Sequence, residues 1–209
     1  MNFLRFLLLL LLTKSFALGQ AASNSKAATP PNEPAALVRS IYNEVVARHP
    51  LGVPGGAAFQ VFKPYLSKTL LNRIDINIAC QDDWGRKHPD RDSKPPFLEF
   101  GLFSGDDLRA EPSSFQIEKE ESEKDGYIRV YVKLTHDDPG GSQWSWQVAA
   151  ILVQEAGHFV VDDVIYLKGR PQDVDIRLSE YLSAGCDGAH WSGTATSERT
   201  RGKFGKSTI

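Results

Sequence analysis

Four pairs of adjacent aspartates, Asp82-Asp83, Asp106-Asp107, Asp137-Asp138 and Asp162-Asp163, are the residues of this chain best suited by type to acid–base chemistry. The last pair is the most informative, because it interrupts an otherwise apolar run, "GHFVVDDVIYL", over residues 157–167. Adjacent residues of a strand point to opposite faces, so one carboxylate of the pair must share whichever face is buried. Phe159, Val161, Asp163, Ile165 and Leu167 make the more uniformly apolar row, and Asp163 is therefore the inward candidate. A buried carboxylate is paired, hydrogen-bonded or raised in pKa, and a raised pKa is what a general acid or base needs at neutral pH. Asp163 reads first as structural, then as a ligand contact, and last as a catalytic base.

Other constellations are thin. The chain has no GxSxG, HExxH, CxxC or GxGxxG motif. His49, His88, His136, His158 and His190 are scattered without ligand spacing, so neither a metal nor a cofactor is expected. His136-Asp137-Asp138 is a local cluster at a hairpin turn, where aspartate and the following proline are favoured for backbone reasons. Cys80 and Cys186 read first as a disulfide, whose loop of about 100 residues would contribute up to ~4–5 kcal/mol in the chain-entropy model. Asp82 and Trp84 follow Cys80 closely, so a bridge would hold them beside the end of the sheet as candidate polar and stacking contacts. Trp144 and Trp146 alternate with Ser145 and Gln147, which puts both on one face as core or cavity wall, and Tyr42 is a further candidate wall.

These residues need elements to position them. Asn32 reads as the N-cap of a first helix with Pro34 in its first turn, Pro50 beyond its end, and a stripe at Leu37, Val38, Ile41, Tyr42, Val45 and Val46. "PLGVPGGAAFQ" reads as a loop, and Ser67 as the cap of a second helix with Leu70, Leu71, Ile74 and Ile78 on one side. From Gln81 to Ser113 the pattern is long and irregular. The period then changes to two. Ile128, Val130, Val132 and Leu134 oppose Tyr127, Arg129, Tyr131 and Lys133, and the strands around Trp146 and Val161 follow after short turns. "DVDIRLSEYLS" reads as a closing helix with Val174, Leu178 and Leu182 on one side. The expected fold is α+β: two N-terminal helices on a curved antiparallel sheet of about four strands, with a short C-terminal helix.

Residues 1–19 read as a cleaved secretory signal. Arg5 supplies its basic start, the apolar run Phe6–Leu12 is well short of a bilayer span, and Ala17-Leu18-Gly19 supplies the small-residue end. Residues 20–34 read as a flexible linker, 35–186 as one domain, and 187–209 as a disordered tail made basic by Arg199, Arg201, Lys203 and Lys206. Losing Arg5 and Lys14 takes the net charge from −2 to −4, which argues against nucleic acid as the partner. A periplasmic or extracellular protein with no membrane span after signal cleavage is expected.

Taken in order, "VRSIYNEVV", "YLSKTLLNRI", "CQDDW", "WQVAAILVQ", "GHFVVDDVIYL" and "DIRLSEYLS" resemble the exported bacterial domains of unknown function in the nuclear-transport-factor-2-like superfamily, over about residues 35–183. The resemblance implies a cone, with helices inside a curved sheet, a cavity at the wide end, and a homodimer through the sheet. Superfamily enzymes keep an aspartate or histidine in that cavity, but their motifs do not match here, and no catalytic residue carries over. The expectation is a non-enzymatic binding domain whose cavity or open sheet face engages a small molecule or an exported protein. One alternative is an isomerase- or hydrolase-type cavity enzyme with Asp163 as base. Another is a structural or immunity-type protein, whose interior would be filled by aromatic side chains and whose exposed Tyr127, Arg129, Tyr131 and Lys133 would matter instead.

Overall fold

The computed structural model describes residues 31–53, 55–89, 100–105, 111–167 and 176–193. The expected signal, Asp106-Asp107, Val174 and the basic residues of the tail lie outside them. Helices come first and an antiparallel sheet follows, so the fold is α+β. Helix α1 spans Pro34–Arg48, α2 Gly56–Gln60 and α3 Lys68–Lys87, with a single 3-10 turn at Lys63–Tyr65. Strands β1 Ser114–Ser122, β2 Ile128–Asp137, β3 Gln143–Glu155, β4 His158–Tyr166 and the two-residue β5 Ile176–Arg177 form one sheet in sequential order. Helix α4, Leu178–Ser183, and a small hairpin of β6 Cys186–Asp187 and β7 His190–Trp191 complete the described chain. The boundary expected at residue 186 thus falls inside a hairpin, and the chain stays paired through Trp191.

The helix ends follow local chemistry. Glu33, not Asn32, occupies the N-cap of α1 and makes no side-chain cap bond. Pro34 explains the tolerance: its fixed φ suits a first turn, and it has no N–H to satisfy there. His49 ends α1 in the left-handed conformation, its amide donating to the Val45 carbonyl at 2.8 Å. Ser67 caps α3 as expected, its hydroxyl accepting from the Leu70 amide at 2.9 Å. Two expectations fail nearby. Residues 56–60, read as loop, form α2 and bury Phe59. Helix α3 also runs past Gln81 to Lys87, with Arg86 and Lys87 in its last turn, where cations suit the helix dipole.

The sheet separates two faces. On the inner face Val130, Val132 and Leu134 of β2, Trp146, Val148, Ala150 and Leu152 of β3, and Val161, Val164 and Tyr166 of β4 pack with residues of α1 and α3 into the main core. A smaller cluster of Ala149, Ile151 and Ile165, flanked by Tyr131 and Leu167, lies on the opposite face. The β3–β4 turn is two residues long, with Ala156 at φ 49° and Gly157 at φ 81°, the backbone twist that tight hairpins favour. Two register shifts interrupt the ladders, one between Ile117 and Lys119 of β1 and one opposite Ile151 and Leu152, where β4 carries an extra residue.

Candidate functional site

That extra residue is Asp162. Ile151 pairs with Asp163 and Leu152 with Val161, leaving Asp162 unmatched as a β-bulge. The bulge reverses the phase of the strand: Phe159 and Val161 face the main core before it, and Val164 and Tyr166 after it. Strict alternation over residues 158–167 is therefore broken, and the row assigned to Asp163 is split between the two faces. Asp163 is nonetheless buried, at 3% exposure, because α4 covers it. Its Oδ1 accepts from the Val164 amide at 2.9 Å and the Ser179 amide at 3.0 Å, and its Oδ2 from the Ser179 hydroxyl at 2.6 Å. The Arg177 guanidinium stands 3.7 Å away. Asp162 accepts the Ser67 hydroxyl at 2.6 Å. Each member of the pair thus fastens the start of one helix, α3 or α4.

The space between helices and sheet is filled by the chain itself. Leu102 and Phe103 are fully buried, and three aromatic side chains from three elements hold the backbone that carries them. Tyr166 donates to the Leu102 carbonyl at 2.7 Å, Tyr42 to Phe103 at 2.8 Å and Trp146 Nε1 to Ser104 at 2.8 Å. The flanking carbonyls are also met: Phe100 accepts from the Gly52 amide at 2.9 Å, and Gly101 from the Gly105 amide at 2.6 Å. A buried carbonyl without a donor is costly, so the three polar tips are what allow this turn of chain to lie inside. Burial pushes the Tyr42 hydroxyl far above the ordinary tyrosine value, so it stays protonated and able to donate. Tyr42 and Trp146 are buried, and what they hold is an intramolecular segment.

The remaining candidates are dispersed. Asp82 is exposed on α3, and its neighbour Asp83 is the buried carboxylate, at 8% exposure. Asp83 is in contact with Lys87 at 2.8 Å and Arg86 at 3.2 Å and accepts the Trp191 amide at 2.9 Å. The Lys87 bond, then the Trp191 amide, hold its carboxyl down at about 2. Cys80, one turn earlier on α3, is bonded to Cys186 as expected, with Cα atoms 6.1 Å apart. The disulfide, the Trp191 amide on Asp83 and the Lys87 ammonium donating to the Trp191 carbonyl at 2.9 Å together bind the β6–β7 hairpin to α3. Trp84 stacks at 4.6 Å on His88, the residue that caps the end of α3. Trp144 departs from the shared-wall expectation: it is 41% exposed, its ring 4.5 Å from that of its cross-strand partner His136. It sits near the start of β3, where the inward row runs past the buried core and His136 supplies its contact. In the His136-Asp137-Asp138 cluster, Asp137 accepts from Gln143 and Asp138 from the Gly140 amide within the hairpin turn, and Asp137 also accepts the Ser113 hydroxyl from the residue preceding β1.

Away from the buried Ala149, Ile151 and Ile165 cluster, the other side of the sheet is polar and more accessible. Across β1 and β2, Lys119 lies 4.2 Å over the Tyr131 ring, Tyr131 donates to Glu121 at 2.8 Å, and Arg129 pairs with Glu123 at 2.9 Å. The bonds from Lys119 and Tyr131 lower the Glu121 carboxyl below its ordinary value. Two open surface grooves lie elsewhere. One of about 440 Å³ runs between Pro64, Lys68, Glu155, His158 and Phe159, and one of about 340 Å³ between Arg73, Ile76, Ser179 and Glu180. Neither is lined by Asp163, Asp82, Trp84, Tyr42, Trp144 or Trp146. Among the described residues no three His, Cys, Asp or Glu side chains converge as metal ligands, and no helix is long and apolar enough to cross a membrane.

No family model matches the chain, and neither a curated protein nor a solved structure matches it. Two groups of residues escaped sequence reasoning. Asp83 could have been found from Cys80, since positions three and four residues beyond a bridged cysteine on a helix face the same neighbour. The 100–105 segment carried no periodic signal, only an apolar composition between glycines.

Proposed function

We propose that this chain is an exported, non-enzymatic binding domain of the nuclear-transport-factor-2-like type, acting on a protein partner through the outer face of its sheet. The observation that carries this reading is the filled interior: Leu102 and Phe103 occupy the space under the sheet, their backbone fixed by Tyr42, Trp146 and Tyr166. A small molecule would have to displace that segment and leave three buried donors unpaired, at about 1–3 kcal/mol each. Helices followed by an antiparallel meander support the fold assignment, and the Cys80–Cys186 bridge supports an oxidising destination. A base role for Asp163 is disfavoured because its oxygens already accept three bonds from Val164 and Ser179.

The test is site-specific photo-crosslinking in the exported fraction of producing cells. A benzophenone side chain is placed at Lys133 on the outer face, or at Asp82 on α3, both exposed. A discrete protein adduct from position 133 and none from 82 is expected. Equal adducts from both positions, or none from either, reject the reading. A reproducible small-molecule adduct in native mass spectrometry would favour the cavity reading instead.

A further inference from the structure

The two edges of the main sheet are finished differently. Beyond β4 the edge is covered by the short β5 and by α4, whose Leu178 and Leu182 are buried in the core. At the other edge β1 pairs with β2 alone, and seven of its nine residues are exposed, leaving a row of outward N–H and C=O groups without a partner among the described residues. Residues 118–125 of β1 and its turn carry a net charge of −3. Lys119 is already engaged by Glu121 and the Tyr131 ring, whereas Glu120 has no side-chain partner among the described residues. The bulge turns Glu118 out of register with β2, and its carboxylate reaches Gln147 of β3.

We propose that the free edge of β1 is a strand-addition site, and that its occupant is an extended, lysine- or arginine-rich segment of a partner protein. The proposal rests on the sheet-mediated reading above and names the partner's chemistry. Main-chain pairing along an edge gives affinity to any extended segment, and side chains select among them. Here the selection is by charge: a basic strand meets an edge with unengaged Glu120 on one face and, on the other, Glu118 and Glu121, which Gln147, Lys119 and Tyr131 already engage, and like charges set opposite one another on paired strands are destabilising. A second copy of this chain would lay the same acidic strand against itself, so the edge favours a different protein. Charged edges also guard against indiscriminate pairing. A purely protective edge repels every strand, whereas a docking edge admits the basic one and rejects the acidic one.

The experiment uses the full mature chain at low salt and three labelled peptides of nine residues, matching β1 in length. One alternates lysine and valine, one has the same sequence with alternate backbone amides methylated, and one alternates glutamate and valine. Fluorescence anisotropy gives affinity, and amide hydrogen exchange locates the contact. The lysine peptide is expected to bind and to protect amides within residues 114–122. Methylation should weaken it about tenfold or more through lost main-chain bonds, and the glutamate peptide should not bind. Joint Glu118→Lys and Glu120→Lys substitution should reverse the preference between the two charged peptides. Equal binding of the methylated peptide overturns the proposal, because charge alone would then suffice. So does protection that falls elsewhere, or a free chain already dimeric through β1. The methylation comparison needs only the unaltered chain, so it decides even if the double variant does not fold. An adduct at Lys133 alongside failed peptide binding would leave the sheet-face reading standing without the edge.

Discussion

The hydroxyl of Ser67 donates to the carboxylate of Asp162, 95 residues away in sequence, at 2.6 Å, while its oxygen accepts the Leu70 amide at 2.9 Å. One side chain therefore caps a helix and moors it to a bulged strand. The backbone repeats the attachment, the Ser67 amide donating to the Val161 carbonyl at 2.8 Å. Ser67→Ala removes the cap and the mooring together and should cost about 2 kcal/mol, near the upper end for loss of a cap. Urea denaturation measures it, and a loss under about 0.5 kcal/mol, the range of an ordinary surface change, would refute the double role.

Asp163 is the equivalent fixture for α4. Asp163→Ala strands the Ser179 amide and hydroxyl and the Val164 amide, and about 2–4 kcal/mol of stability should go with them. Asp163→Asn keeps one acceptor oxygen and should lose roughly half as much. If both variants denature at the wild-type midpoint, the carboxylate is not holding α4.

Removing the polar tips tests the buried segment. Tyr42→Phe and Tyr166→Phe leave the Phe103 and Leu102 carbonyls unpaired, at about 1–3 kcal/mol each. Faster amide exchange within residues 100–105 should accompany the loss, and unchanged exchange would show that the segment is held by packing alone. The raised Tyr42 value also fixes a sign. The stabilisation is intact below the ordinary tyrosine pKa of about 10 and is lost as pH rises beyond it, since the unfolded chain ionises more readily.

Acid should act on the other end of α3. The Asp83 carboxyl sits at about 2 in the folded chain against an ordinary 3.8, so its stabilisation is complete above about 4 and fades as pH falls through 2. The Trp191 amide, which donates to Asp83, should report this in its proton chemical shift, with a midpoint near 2. A midpoint at the ordinary aspartate value would mean that Lys87 and Trp191 do not hold the carboxylate in solution.

The Cys80–Cys186 bridge closes a loop with a separation of 106 residues, for which chain entropy gives an upper figure of about 4–5 kcal/mol. Joint Cys80→Ala and Cys186→Ala substitution should lower stability by about 2–5 kcal/mol. A reductant should lower the denaturation midpoint of the native chain and leave the double variant unmoved. A native chain indifferent to reductant would contradict the expectation.

How legible each part was in the sequence depends on whether its signal is local. β2 could be read because one face meets the core and the other meets water, so Val130, Val132 and Leu134 alternate with Arg129 and Lys133. Ser67 could be read because a cap is chemistry within one turn. The orientation of Asp163 could not, because a bulge adds one residue and inverts every position after it, and it is defined only by the facing strand. The last two turns of α3 carry Gly85 and mostly polar residues, so no apolar period there separates buried Asp83 from exposed Asp82. Trp144 and Trp146 have the same pattern, yet only the second lies within reach of the 100–105 segment that supplies its acceptor.

The disulfide spacing also sets a schedule. Cys186 is made 106 residues after Cys80, roughly 5–20 s later at ordinary elongation rates, and every strand of the main sheet lies between them. Those strands join neighbour to neighbour in chain order, so the ladder can assemble while Cys80 is still a lone thiol. The crosslink can therefore close on a sheet that is already assembled. A chain halted before Gly185 would carry all five strands of the sheet and a single reactive sulfur, chemically marked as incomplete.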